Sequence, residues 1–166
     1  MKLIPFDPER DFKIIEKWIT DERGHAMWCA NLFAYPLQKE NFISTLAGFA
    51  EKWGDTPFLA VTDEEEAAGF FSYAHDHDTN EAMLKFVVVN PEFRGKGIAG
   101  EMLRLVSEYA FDNGAGAVQL NVFPENERAK RCYLKAGFTE RSITEKAFAY
   151  KDEAWGRCNM VLRKQD

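Results

Sequence analysis

The chain has no CxxC pair, and its three cysteines, Cys29, Cys132 and Cys158, stand far apart with no histidine at metal-ligand spacing. That excludes a disulfide framework and a cysteine-built zinc module, so the thiols read as reduced and structural and the expected compartment is the cytoplasm. No stretch is long or apolar enough to span a bilayer, and Met1-Lys2-Leu3-Ile4-Pro5 lacks the apolar run of a signal peptide, so no membrane partner is expected. Positive charge is scarce. With 21 Lys and Arg against 27 Asp and Glu the formal net charge is −6, which excludes the broad basic face that general nucleic-acid binding needs. Two of the three histidines lie in His75-Asp76-His77-Asp78, where alternate residues of a polar hairpin point to opposite sides and no distant ligands complete a set, so no metal is expected. Repeats, linkers and low-complexity tracts are also missing, and residues 1–166 read as a single domain.

Apolar and aromatic residues are plentiful, at 46% and 14%, and their spacing predicts the elements. After a short strand at Leu3-Ile4, Phe12, Ile15, Trp18 and Ile19 predict one helix from about Pro8 to Glu22. Trp28 to Pro36 is too irregular to assign. Phe42, Leu46, Phe49, Ala50 and Trp53 predict a second helix from Lys39, closed by Gly54. The period then changes to that of strands: Phe58 to Thr62, Ala67 to His75 and Ala82 to Val89 predict an antiparallel meander. Ile98, Met102, Leu105, Val106, Tyr109 and Ala110 share a helix face that ends at Asn113-Gly114. A strand at Val118 to Phe123 follows. Asn126 is placed to cap a helix that stops at Gly137, and strands at Ile143 to Tyr150 and Cys158 to Leu162 close the chain. The order is strand, two helices, three strands, helix, strand, helix, two strands, which predicts an α/β (α+β) fold with a mixed, mostly antiparallel sheet and helices on both faces.

The segment Val87 to Gly100 carries the chemistry. An apolar strand runs through Asn90-Pro91-Glu92-Phe93-Arg94-Gly95-Lys96-Gly97 into the helix of Ile98, Ala99 and Gly100. Its glycines let the backbone approach a ligand, and the first N–H groups of a helix have no internal acceptor. Those donors and the positive helix end favour an anion, with Arg94 and Lys96 beside it. Gly95 to Gly100 spells GxGxxG, but most of the chain precedes it, and Leu120 and Asn121 stand where a ribose-binding acid belongs. A P-loop is excluded because Ile98 and Ala99 follow Gly97 in place of Lys and Ser or Thr.

Arg94-Gly95-Lys96-Gly97-Ile98-Ala99 resembles the R/Q-x-x-G-x-G/A signature of the GNAT superfamily of N-acetyltransferases. Asn126-Glu127-Arg128-Ala129-Lys130-Arg131-Cys132-Tyr133 with Ala136-Gly137-Phe138 is similar to the family's N-x-x-A-x-x-x-Y-x-x-x-G-F segment, some thirty residues later. The resemblance implies a GNAT fold of about seven strands in which the loop cradles the pyrophosphate of acetyl-CoA. It implies that pantetheine pairs like an added strand with the backbone of Val87 and Val89, with Val88 between them on the cofactor strand, and that Asn121, Asn126 and Ala129 face the cofactor. Tyr133 resembles the tyrosine that protonates the departing thiolate. The implied activity is transfer of acetyl from acetyl-CoA, or another acyl donor, to a primary amine of a small molecule or protein N-terminus by direct attack in a ternary complex. A catalytically silent CoA-binding sensor or scaffold of the same fold is the alternative.

The pattern departs from the family at Asn121, where some relatives carry a glutamate base; an amide cannot take a proton, though it can orient a water. Glu81, His75 and Asp76 are substitutes by position, though each reads first as a solvated hairpin residue. Trp28, Phe33 and Tyr35 either line an acceptor pocket or fill the core. Trp155, beside Gly156, is expected at a subunit contact of a homodimer or against the acceptor loop.

Overall fold

Pro8 can open a helix because its missing N–H has no partner in the first turn, and Asp7 before it accepts the N–H groups of Glu9 and Arg10. The computed structural model describes residues 1–166. From these residues come β1 (Lys2–Pro5), α1 (Pro8–Ile15), α2 (Glu22–Cys29), α3 (Lys39–Trp53), β2 (Thr56–Val61), β3 (Ala67–Asp76) and β4 (Glu81–Val89). A 3₁₀ turn at Pro91–Phe93 leads to α4 (Ile98–Asp112), β5 (Ala117–Val122), α5 (Glu127–Lys135), β6 (Thr139–Tyr150) and β7 (Glu153–Arg163). No helix is long and apolar enough to cross a membrane.

The expected single helix from Pro8 to Glu22 is two helices. Tight bonds from Lys17 N–H to the Ile14 carbonyl and from Trp18 N–H to the Ile15 carbonyl end α1, and Asp21 caps α2 by accepting the Gly24 N–H at 2.5 Å. Helical spacing hid the break because Trp18 is buried from the turn, where it fills the same core as Phe12 and Ile15. α2 therefore claims part of the stretch that resisted assignment, and the helices number five.

Seven strands form one sheet in the order β1-β2-β3-β4-β5-β7-β6, with β4 and β5 its parallel pair. α4 and α5 cover one face through Met102, Val106 and Tyr133 against Leu84, Leu120 and Met160. On the other face, α1 and α3 supply Phe12 and Phe42 and the α2–α3 connection supplies Phe33, which meet Phe70 and Phe86. Trp155 is buried with Tyr150 and Ala26, so the β6–β7 hairpin packs onto α2. Arg23 of α2 fastens that contact, reaching Glu153 at 2.6 Å and lying over the Trp155 ring at 5.2 Å.

β4 is not regular. Val88 pairs with Phe70 and Lys85 with Ser72, leaving Phe86 and Val87 opposite Phe71 alone: a bulge. Phe86 takes φ +57°, a conformation that bulky residues rarely hold. The bulge breaks the alternation of faces, because the Lys85 ammonium and the Phe86 ring both lie against Phe49, at 4.9 Å and 5.6 Å.

Candidate functional site

Parallel pairing between β4 and β5 runs from Glu81↔Ala117 to Leu84↔Leu120 and stops. Beyond the bulge the strands part, and a cleft of about 1760 Å³ opens between them. Val87, Val88 and Val89 form one wall, Asn121 and Val122 part of the other. With no strand beside it there, β4 presents an open edge to an extended molecule.

At one end of the cleft lies the glycine loop. Gly95 and Gly97 both have φ +77°, and a Cβ added to Gly95, Gly97 or Gly100 would meet nothing within 4 Å, so their surface faces open space. Gly97 is the N-cap of α4 and brings no side-chain cap. The first intrahelical bond there is from Glu101 N–H to the Gly97 carbonyl, which leaves the amides of Ile98, Ala99 and Gly100 without a helical acceptor. Arg94 and Arg128 border the same end. Burial, and after it the nearby Arg128 guanidinium, lowers the Arg94 pKa, with no carboxylate among the groups acting on it. Free amides, a helix N-terminus and two cations suit a diphosphate, and the open β4 edge suits an amide-bearing tail. These residues fit coenzyme A. Arg128 was not singled out from the sequence; its signal was a basic residue two positions past Asn126, on the first turn of α5.

The structure brings Val87, Val88, Val89, Arg94, Gly95, Gly97, Ile98, Ala99, Gly100, Asn121, Asn126, Ala129 and Tyr133 to this one cleft. Lys96 is not on its wall; the ammonium lies 5.6 Å from the Phe93 ring centre. Asn126 caps α5, its side-chain oxygen accepting the Ala129 N–H at 3.4 Å, which leaves its amide NH₂ as the donor. Tyr133 sits two turns on, buried edge-on to Phe138, and burial pushes its phenol well up from the ordinary value, with Cys132 adding to the shift. Asn121 accepts from the side-chain amide of Asn159 at 3.1 Å.

None of the substitute bases borders the cleft. Glu81 is bound by Arg141, His75 by Asn80 at 2.8 Å, and Asp76 accepts the Asp78 N–H in its turn. The carboxylates that do border it are engaged: Asp21 caps α2, Glu101 stands 3.7 Å from the N-terminal ammonium, and Glu108 holds Arg104 at 2.7 Å. The aromatic trio divides. Trp28 lines the cleft, Phe33 is buried in the core, and Tyr35 lies exposed beside His25. With Trp28, the side chains of Trp18, Ile19, Met27, Leu32 and Phe49 make the end opposite the glycine loop apolar.

The sequence profile of the Acetyltransferase (GNAT) family matches residues 10–138. Thialysine N-epsilon-acetyltransferase of Bos taurus is 30% identical over 129 residues, covering 68% of this chain and 75% of that one. Streptothricin acetyltransferase of Streptomyces lavendulae is 31% identical over 81 residues, and the match spans less than half of that protein, 43%. Spermidine N-acetyltransferase from Vibrio cholerae, in its crystal structure with CoA and spermine, shares the fold at a TM-score of 0.79 and 17% identity, over 98% of this chain and 94% of that one. The chain belongs to the GNAT family and is an acetyl-CoA-dependent acetyltransferase.

Proposed function

We propose that the protein transfers acetyl from acetyl-CoA to a primary amine of a small molecule or a peptide N-terminus, by direct attack within a ternary complex. The observation that carries this reading is the end of β4–β5 pairing at Leu84 and Leu120, in line with the unpaired amides of Ile98 to Gly100. A diphosphate on the loop, held by the amides of residues 95–100 with Arg94 and Arg128, directs the pantetheine tail along Val87 to Val89. The thioester then lies beside the bulge, where a β4 N–H polarises its carbonyl and stabilises the oxyanion formed on attack. Asn126 and Ala129 face the tail; as the C–S bond breaks, Tyr133 supplies a proton to the departing thiolate and is restored by the proton the attacking nitrogen sheds as the amide forms. The amine enters from the apolar end past Trp28.

An ammonium has no lone pair, so the amine must arrive neutral or lose a proton on the way. With every carboxylate of the cleft engaged, water near Asn121 carries that proton out. The rate at limiting amine therefore climbs with pH toward the acceptor's own pKa; a plateau near pH 7 would reveal a protein base instead. That engagement is also the one observation favouring a CoA-binding module without turnover. A thiol-release screen with acetyl-CoA over spermidine, thialysine, amino acids, streptothricin-like amines and N-terminal peptides separates the two, and propionyl-CoA in parallel tests the donor. Release with one amine class supports transfer; CoA binding without release from any amine supports the silent module. Trp155 is spent inside the chain against α2, so a homodimer would need another surface.

A further inference from the structure

The bulge of β4 is held from outside the sheet. The Trp28 indole N–H donates to the Phe86 carbonyl at 2.8 Å, from α2 to the strained residue itself. Trp28 also packs edge-on to the Phe86 ring at 6.3 Å, and Phe33 packs on that ring at 4.6 Å. Immediately before the bulge, the Lys85 ammonium is gripped by both oxygens of the buried Asp55 carboxylate, at 2.9 Å and 3.1 Å. A positive φ on phenylalanine persists only where its surroundings over-determine it. The same indole is part of the cleft wall at the end where the acceptor enters.

We propose that Trp28 is a positioning residue for acyl transfer: its N–H fixes the Phe86 carbonyl, so α2 sets the shape of the bulge whose backbone meets the thioester. Seating of an amine against the Trp28 ring is thereby transmitted to the oxyanion site through one hydrogen bond. The inference rests on the acetyl-transfer reading above. It assigns Trp28 no contact with the reacting atoms; its effect runs through Phe86 and Val87. The indole does two separable things, since its ring packs and its N–H orients, and only the second bears on the chemical step.

The test removes the donor and keeps the ring. Trp28→Phe does so coarsely; replacing Trp28 with benzothienylalanine does so at constant shape and guards against misfolding. Both variants should lose roughly tenfold in kcat, the scale of one ordinary hydrogen bond, while KM for acetyl-CoA and the Kd of CoA stay within about twofold. Amides of residues 86–88 should exchange hydrogen roughly tenfold faster than in the unaltered chain, with distant amides unchanged. An unchanged kcat, a loss confined to KM, or unaltered exchange at 86–88 in the benzothienylalanine variant overturns the proposal. If the unaltered protein releases thiol with no amine, the acetyl-transfer reading fails, and exchange at 86–88 still decides the role of Trp28.

Discussion

Tyr133 carries the proton chemistry of the proposed step, and its burial decides which proton state it offers. Removal from water disfavours the phenolate, so the phenol stays protonated well beyond neutral pH and stands ready as a donor. Tyr133→Phe keeps the ring against Phe138 and deletes the proton. Turnover should fall roughly a hundredfold, as for a lost general acid, with CoA affinity unchanged in calorimetry. Arg94 acts earlier, on binding. Arg94→Gln should weaken CoA roughly tenfold and flatten the salt dependence of its Kd, since one charge-assisted contact to phosphate disappears. Burial also ties the thiols to stability: it raises the pKa of Cys29 and Cys132 above the ordinary 9.0, as it raises Tyr133. Folded pKa values above the unfolded ones mean that the contribution is complete below pH 9 and is lost as pH climbs through the folded values. The unfolded chain then binds fewer protons, so denaturant midpoints should be flat from pH 7 to 8.5 and decline above about 9.

Among the elements, α3 and α5 show how far side-chain spacing reaches. Phe42 is fully buried and its ring meets Phe6, Phe12, Phe33 and Phe70 at 4.6 to 5.8 Å. Phe42→Ala should therefore cost about 3–5 kcal/mol in denaturant unfolding, the range for a large ring deleted from a closed core. Such residues were legible because an apolar stripe of period 3.6 admits few partners other than a core. Asn126, Ala129 and Tyr133 were legible for the same reason, since i, i+3 and i+7 share a face. The glycine loop was legible because Gly95 and Gly97 stand where a positive φ is needed. Two features were hidden. Ile15, Trp18 and Ile19 keep helical spacing across a turn, and nothing in Lys85-Phe86-Val87 announces a bulge, because phenylalanine is a strand former held at φ +57° by tertiary contacts. Likewise the role of Trp28 depends on a carbonyl 58 residues away, which no local pattern encodes.

For the whole molecule, the site follows from how one sheet is divided. Strands β1 to β4 carry α1 to α3 on one face, α4 and α5 cover the other, and the sheet's parallel seam opens past Leu84 and Leu120, where β4–β5 pairing ends. The β6–β7 hairpin folds Trp155 onto α2 and so steadies the acceptor end from the far side of the seam. The claim on which all of this turns is that the loop of residues 94–100 and the open edge of β4 receive one ligand together. Titration of the ¹⁵N-labelled protein with CoA measures that directly, amide by amide. The amides of Gly95, Gly97, Ile98, Ala99 and Gly100 should shift in concert with those of Val87 to Val89, on one saturation curve, while those of the β3–β4 turn stay in place. Saturable binding that leaves the loop amides unmoved, or moves them without the β4 edge, would contradict the account.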